Sequence, residues 1–215
     1  MTQRTLTALE ARVLAVLVEK ESTVPDSYPL SLNALTLGCN QKTARDPVMN
    51  ASESDVLSAL DELKAMHLIN TVSGSRVVRF EHNAARGLGV PGAGLAILTL
   101  LMLRGPQTTA ELRMNTERLH RFADLSSVEG FLDELAQAND RRPAFVTKLA
   151  RAPGARESRW AHLLCGEVLQ ESVASAMPRD DELAFLRAEQ QRMNTELEAL
   201  KALVQRMAAE LGIDA

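Results

Sequence analysis

The stretch Val56-Leu57-Ser58-Ala59-Leu60-Asp61-Glu62-Leu63-Lys64-Ala65-Met66-His67-Leu68-Ile69-Asn70-Thr71-Val72 changes its hydrophobic period once, and that change decides the fold. Val56, Leu60 and Leu63 recur at steps of four and three, the stripe of an amphipathic helix. Ser52, with Asp55 three residues on, supplies a variant capping box at its start. After Leu68 the helical period stops. Ile69-Asn70-Thr71-Val72 and Val77-Val78-Arg79-Phe80 read as short strands, with Ser73-Gly74-Ser75 as the turn of a hairpin.

Two further helices precede this unit. Leu6, Leu9, Val13, Val16 and Leu17 line one helical face that starts after Thr5 or Thr7 and ends near Ser22, before Val24-Pro25-Asp26. A shorter helix is expected from Ser31 to Gly38, where glycine suits a left-handed C-cap. Three helices and then a hairpin is the winged-helix order.

The order recurs downstream. Leu60-Asp61-Glu62-Leu63 reappears as Leu132-Asp133-Glu134-Leu135 at an offset of 72, with Val56 matching Val128 and Ser54 matching Ser126. Val13-Leu14-Ala15-Val16-Leu17 aligns with Ile97-Leu98-Thr99-Leu100-Leu101 at an offset of 84. A second hairpin is expected from Ala144 to Leu149 and Ser158 to Leu163 around Pro153-Gly154. Agreement in order over five elements favours duplication over chance. Between the copies, residues 87–94 hold four glycines and Pro91, a composition expected of a linker rather than a helix interior.

After Pro178, the positions Leu183, Leu186, Gln190, Met193, Leu197, Leu200, Val204, Met207 and Leu211 alternate steps of three and four over about four heptads, the seam of a coiled coil. Gln190 is its one polar member. The seam predicts a homodimer; the competing reading packs the same stripe on the body of its own chain. The expected fold class is therefore mainly α with short β-hairpin wings: winged-helix domains over 1–86 and 95–165, a linker over 87–94, and a C-terminal helical tail over 166–215.

Composition narrows the function classes. Of 215 residues 46% are hydrophobic but only 3% aromatic, so aliphatic side chains must fill the core. No run of about 20 apolar residues is present, and no signal-peptide core follows Met1, so no membrane association and a cytoplasmic location are expected. The charge is uneven: residues 1–88 carry 9 basic and 10 acidic side chains, 89–165 carry 10 and 8, and 166–215 carry 5 and 10. Such balance falls short of an obvious nucleic-acid binder.

The string Gly38-Cys39-Asn40-Gln41-Lys42, then Ala44-Arg45-Asp46-Pro47-Val48-Met49, with Leu60-Asp61-Glu62-Leu63 and Ser75-Arg76-Val77, resembles the YceH-like family of bacterial proteins of unknown function. The opening Leu6 to Leu14, Glu111-Leu112-Arg113 and Glu117-Arg118 are similar to it too. The resemblance spans most of residues 4–165. It implies a tandem winged-helix fold and no established activity, ligand or catalytic residue.

A winged helix that reads DNA normally inserts its third helix in the major groove. Here those helices carry Glu53, Asp55, Asp61 and Glu62 against Lys64, and Glu129, Asp133 and Glu134 with no basic residue before Arg141, so phosphates would be repelled. Positive charge lies instead at Lys42 and Arg45, at Arg76 and Arg79 on the wing, and at Arg104, Arg113, Arg118 and Arg121. These eight form the expected surface for double-stranded DNA of low specificity or for a protein partner; the plainer reading pairs them with neighbouring carboxylates. The long Cys39–Asn50 loop invites the same choice: a recognition surface, or a structural device in which Asp46-Pro47 turns the chain and Arg45 caps carbonyls. Cys39 reads as packed and inert.

No catalytic site, metal site or cofactor is expected. His67, His82, His120 and His162 are scattered, no Gly-rich phosphate loop is present, and Glu111 and Glu117 do not form a convincing catalytic pair. The expected function is non-enzymatic: nucleic-acid binding or regulation through wings and basic loops, or alternatively a scaffold on which winged helices bind a polypeptide, in the manner of tandem winged-helix partners of chromosome-organising complexes.

Overall fold

The protein, seen in a computed structural model, is described at residues 4–73, 77–139, 142–168 and Arg192. The chain divides into two units, Met1–Leu169 and Gln170–Ala215. Of the second, Arg192 alone is described, helical and exposed. The heptad positions Leu183, Leu186, Gln190, Met193, Leu197, Leu200, Val204, Met207 and Leu211 lie outside the described residues, as do Gly74, Ser75 and Arg76.

The first helix, α1 (Ala8–Thr23), starts at Thr7 for a clear reason. The Thr7 hydroxyl accepts the Glu10 amide at 3.2 Å and the Glu10 carboxylate accepts the Thr7 amide at 2.9 Å, a complete capping box. Its expected single apolar face is an underestimate, because every residue from Glu10 to Val18 is buried. The far side is covered by α5 (Gly92–Arg104), itself buried from Ala93 to Leu103. The α1–α5 contact is the most extensive between any two elements described. Helices apolar on all sides belong in an interior.

Around α1 lie β1 (Leu30–Ser31), α2 (Leu32–Cys39), α3 (Glu53–Ala65), β2 (Ile69–Val72) and β3 (Arg79–His82). The three strands form an antiparallel sheet in the order β1-β3-β2. Ser52 and Asp55 make the expected capping box on α3. The second hairpin strand sits two residues later than its composition suggests. Pairing of Ile69 with His82 and Val72 with Arg79 sets the register, turns Phe80 inward, and leaves Val77 and Val78 54% and 50% exposed.

The second half repeats this order. After α4 (Ala84–Leu88) and α5 come α6 (Thr109–Asn115), α7 (Leu125–Ala136), β4 (Val146–Lys148) and β5 (Trp160–His162). As β1 precedes α2 and pairs with the hairpin, so Gln107 precedes α6 and pairs with Trp160 through backbone bonds of 3.0 and 2.7 Å. The protein is thus mostly helical with short antiparallel hairpins.

Two expectations about glycine need correction. Gly38 lies inside α2, whose C-cap is Asn40. A Cβ there would stand 2.7 Å from Val16 Cγ1, so glycine permits α2 to approach α1 closely. The 87–94 segment is also largely helical, with Gly87 in α4 and Gly92 and Gly94 in the first turn of α5. Pro91 is the α5 N-cap, and amides in a first turn have no intrahelical acceptor, so proline and glycine fit there without breaking a ladder. Val90 between the helices is buried, and one contiguous apolar cluster runs from Leu6 to Leu164. Among the described residues no helix is long and apolar enough to cross a membrane.

Because α1 belongs to the first half by sequence and to a common core by packing, Leu17→Ala should destabilise both halves together. A loss of about 2–5 kcal/mol is expected from the cavity. Trp160 is the only tryptophan and lies in the second half, so its fluorescence and the far-UV circular dichroism should shift to lower urea by the same amount. A shift confined to one signal would mean that the halves unfold separately.

Candidate binding surfaces

The Cys39–Asn50 loop is held by side chains buried beneath it. Arg12, only 1% exposed, donates from Nη1 to the Cys39 carbonyl at 3.2 Å and from Nη2 to the Pro47 carbonyl at 2.8 Å. Burial, and after it the nearby Arg45 charge, pull the Arg12 guanidinium below its ordinary pKa. Arg45 donates from Nε to the Gly38 carbonyl and grips Glu19 with both Nη atoms, at 3.1 and 2.6 Å. Asn40 exchanges two 2.8 Å bonds with the Ala51 backbone, and the Asp46 amide donates to the Leu103 carbonyl at 2.8 Å. The loop is therefore fastened to α1, α2 and the end of α5. Arg45 is 6% exposed, so its place among the surface-binding residues is withdrawn. Cys39 is fully buried, and loss of solvation pushes its thiol up to about 12, which keeps it protonated.

The remaining basic residues separate into two groups. Arg79 donates to the Ser27 and Pro29 carbonyls at 3.3 and 2.7 Å and braces the β2–β3 hairpin against the segment before β1. Arg113 is exposed but donates to the Ala123 carbonyl at 3.1 Å. Lys42, Arg118 and Arg121 are exposed and make no ion pair among the described residues. Arg104 is half-buried and meets Arg118 at one cleft. Arg76 lies outside the described residues. The seven described cations thus form no single face.

The outward faces of the third helices are well defined. The buried stripe of α3 is Val56, Ala59, Leu60 and Leu63, which leaves Glu53, Asp55, Asp61 and Glu62 outside with Lys64 and Leu57, the last 43% exposed. On α7 the stripe Val128, Leu132 and Leu135 turns Glu129, Asp133 and Glu134 outward with Leu125, 45% exposed. Arg4 reaches Glu62 at 3.1 Å. Each face is a carboxylate field with one exposed leucine in it.

Sequence reasoning passed over Arg12, Glu19, Gln107 and Asn115. Arg12 had a readable signal, since it falls within the apolar run of α1 and three residues from Leu9. The role of Glu19 depends on a loop more than twenty residues away and has no local trace. Among the described residues no group of three or more His, Cys, Asp or Glu side chains is placed to hold a metal.

Glu19→Gln should leave the Arg45 charge buried without its partner and cost about 3–5 kcal/mol, while Lys42→Ala should change stability by less than about 0.5 kcal/mol; urea melts compare them directly. A pH effect is expected at His162, whose Nδ1 is buried without a partner and whose imidazole is lowered by burial to about 4. The folded state holds His162 neutral while the unfolded chain takes a proton near the ordinary 6.5. Its contribution is whole above about pH 6.5, declines as pH falls, and levels off below about pH 4. Urea midpoints across that window should slope less for His162→Gln than for the parent chain.

Comparison with known proteins agrees with the resemblance carried by the Cys39–Met49 string. The family model described as "Protein of unknown function, DUF480" matches residues 6–155. A UPF0502 protein of Leptothrix cholodnii is 61% identical over 219 residues, covering 98% of this chain and 97% of the relative. UPF0502 proteins of Burkholderia thailandensis and Paraburkholderia phytofirmans are 62% and 63% identical over 217 residues, covering 99% of this chain and 92% of each relative. With the match spanning both hairpin-bearing halves from α1 to the approach to β5, the chain belongs to the DUF480 family of bacterial proteins, the UPF0502 proteins among them.

Proposed function

We propose that this protein is a non-enzymatic cytoplasmic docking protein, built from two winged-helix units, that binds a basic polypeptide segment on the outward faces of its third helices. The winged-helix reading is supported by the repeated order of three helices and a hairpin, with β1 before the middle helix of the first half and an isolated bridge at Gln107 before that of the second. The observation that carries the partner class is the charge of α3 and α7. Their exposed faces combine carboxylates with a lone leucine each, which suits a segment carrying Lys or Arg and an apolar anchor. The same faces oppose a phosphate backbone.

DNA binding through the wings and loops is the second reading, supported by Lys42, Arg118 and Arg121, which are exposed and make no ion pair among the described residues. It is weakened because Arg45 and Arg79 serve the fold internally. Pairing of two chains through the seam from Leu183 to Leu211 would present the surfaces in duplicate, and it is supported by the heptad spacing alone.

A fluorescent peptide of alternating Lys and Leu character should bind the full chain at about 50 mM salt and weaken as salt rises. Asp61→Lys combined with Asp133→Lys should reduce that affinity about tenfold or more. Retention of random duplex DNA at the same salt, with no peptide binding, would reverse the order of the two readings. Leu197→Glu in the full chain should halve the mass found by sedimentation if the tail pairs chains.

A further inference from the structure

A cleft of about 510 Å³ opens where the end of α1 faces the end of α5 and the α6 region, a volume within the range of small-ligand sites. Lys20, Arg104 and Arg118 line it, the first from one half of the unit and the other two from the other half. Two carboxylates also line it. Glu19 is already held by Arg45 at 2.6 Å and by Lys20 at 3.4 Å, and Glu117 is exposed to solvent. Positive charge is therefore in excess. Leu100, Leu119 and the 71% exposed Met114 add apolar surface.

Arg104 differs from an ordinary surface arginine, because a relay of amides fixes it. Its Nη1 donates to Asn115 Oδ1 at 3.0 Å, Asn115 Nδ2 donates to Gln107 Oε1 at 2.7 Å, and Gln107 Nε2 donates to the Leu100 carbonyl at 3.0 Å. Gln107 is 4% exposed and is anchored to Trp160 through its backbone. The guanidinium makes no other hydrogen bond among the described residues, so its remaining N–H groups are unclaimed. Arg118 has no partner at all among them. A fixed guanidinium beside a free one, with an ammonium nearby, matches the oxygens of a phosphate group.

We propose that this cleft binds a small phosphate-bearing organic anion of roughly nucleotide or sugar-phosphate size. Arg104 and Arg118 hold the phosphate with Lys20, and the leucine and methionine surface takes the rest of the molecule. A concave site shared by both halves favours a small ligand over a duplex backbone. The assignment stands apart from the docking surface, which lies on α3 and α7.

The test is isothermal titration calorimetry of the full chain at about 50 mM salt with three probes: pyrophosphate, ADP and adenosine. Binding of pyrophosphate and ADP is expected, and none of adenosine. Arg104→Gln and Arg118→Gln should each weaken ADP about tenfold or more, as loss of a charge-assisted bond requires. Asn115→Ala should also weaken it, although no charge is removed, and Lys42→Gln outside the cleft should leave it unchanged. Thermal melts check folding, and if Arg104→Gln fails to fold the exposed Arg118→Gln carries the test. Absence of binding by both phosphate probes overturns the proposal. So does equal binding of adenosine, an equal loss in Lys42→Gln, or duplex DNA binding through these arginines while ADP does not bind.

Discussion

The packing of α1 against α5 is the constraint on which the rest of the structure depends. Each helix is buried around its whole circumference over two turns or more, with Arg12 of α1 hydrogen-bonded to the Cys39 and Pro47 carbonyls, so neither rests at a surface. Each takes its own half on one side and the other helix on the opposite side. The two repeats therefore share one continuous apolar cluster. Once this seam forms, the hairpins and the helices α3 and α7 are carried at the periphery, where their polar faces meet solvent.

Charge is distributed in the opposite way from what a basic composition in loops suggests. Arg12 and Arg45 point inward and hold the 40–50 loop by capping carbonyls at Gly38, Cys39 and Pro47. Burying a guanidinium costs solvation, and here the cost is offset by Glu19 and by several backbone acceptors at once. The carboxylates of α3 and α7 remain outside, where Glu62 meets Arg4 at 3.1 Å and Glu134 meets Arg142 at 3.5 Å while Asp61, Glu129 and Asp133 face solvent. The outward faces of these helices are thus acidic, and of the described cations singled out from the sequence Lys42 lies on the loop, Arg118 at the cleft with the hydrogen-bonded Arg104, and Arg121 apart from both.

Much of the fold is legible in local sequence because its causes are local. Thr7 with Glu10, Ser52 with Asp55 and Thr108 with Glu111 close capping boxes within four residues. The stripe of α3 and the alternation around Phe80 report one buried face each. Reading fails where the cause is distant. Gly38 looks like a helix stop, but its lack of a side chain serves Val16 on another helix. The glycines of 87–94 look like a linker, but Gly87 lies in the last turn of α4, Gly89 is its left-handed C-cap, and Gly92 and Gly94 sit in the first turn of α5, where glycine is tolerated and the helix is already in the core.

By itself the sequence determined the order of three helices and a hairpin in each half, since hydrophobic period and capping act over a few residues, but not β1 or α4. It also determined the acidic character of the third helices, since the buried stripe dictates which residues face out. Tertiary structure alone decided that the two repeats share a core, that Arg45 is a buried partner of Glu19, and that Lys20, Arg104 and Arg118 meet across one cleft. Glu19 and Arg45 are 26 positions apart and Lys20 and Arg104 are 84 apart, and such juxtapositions have no signature in local period or composition.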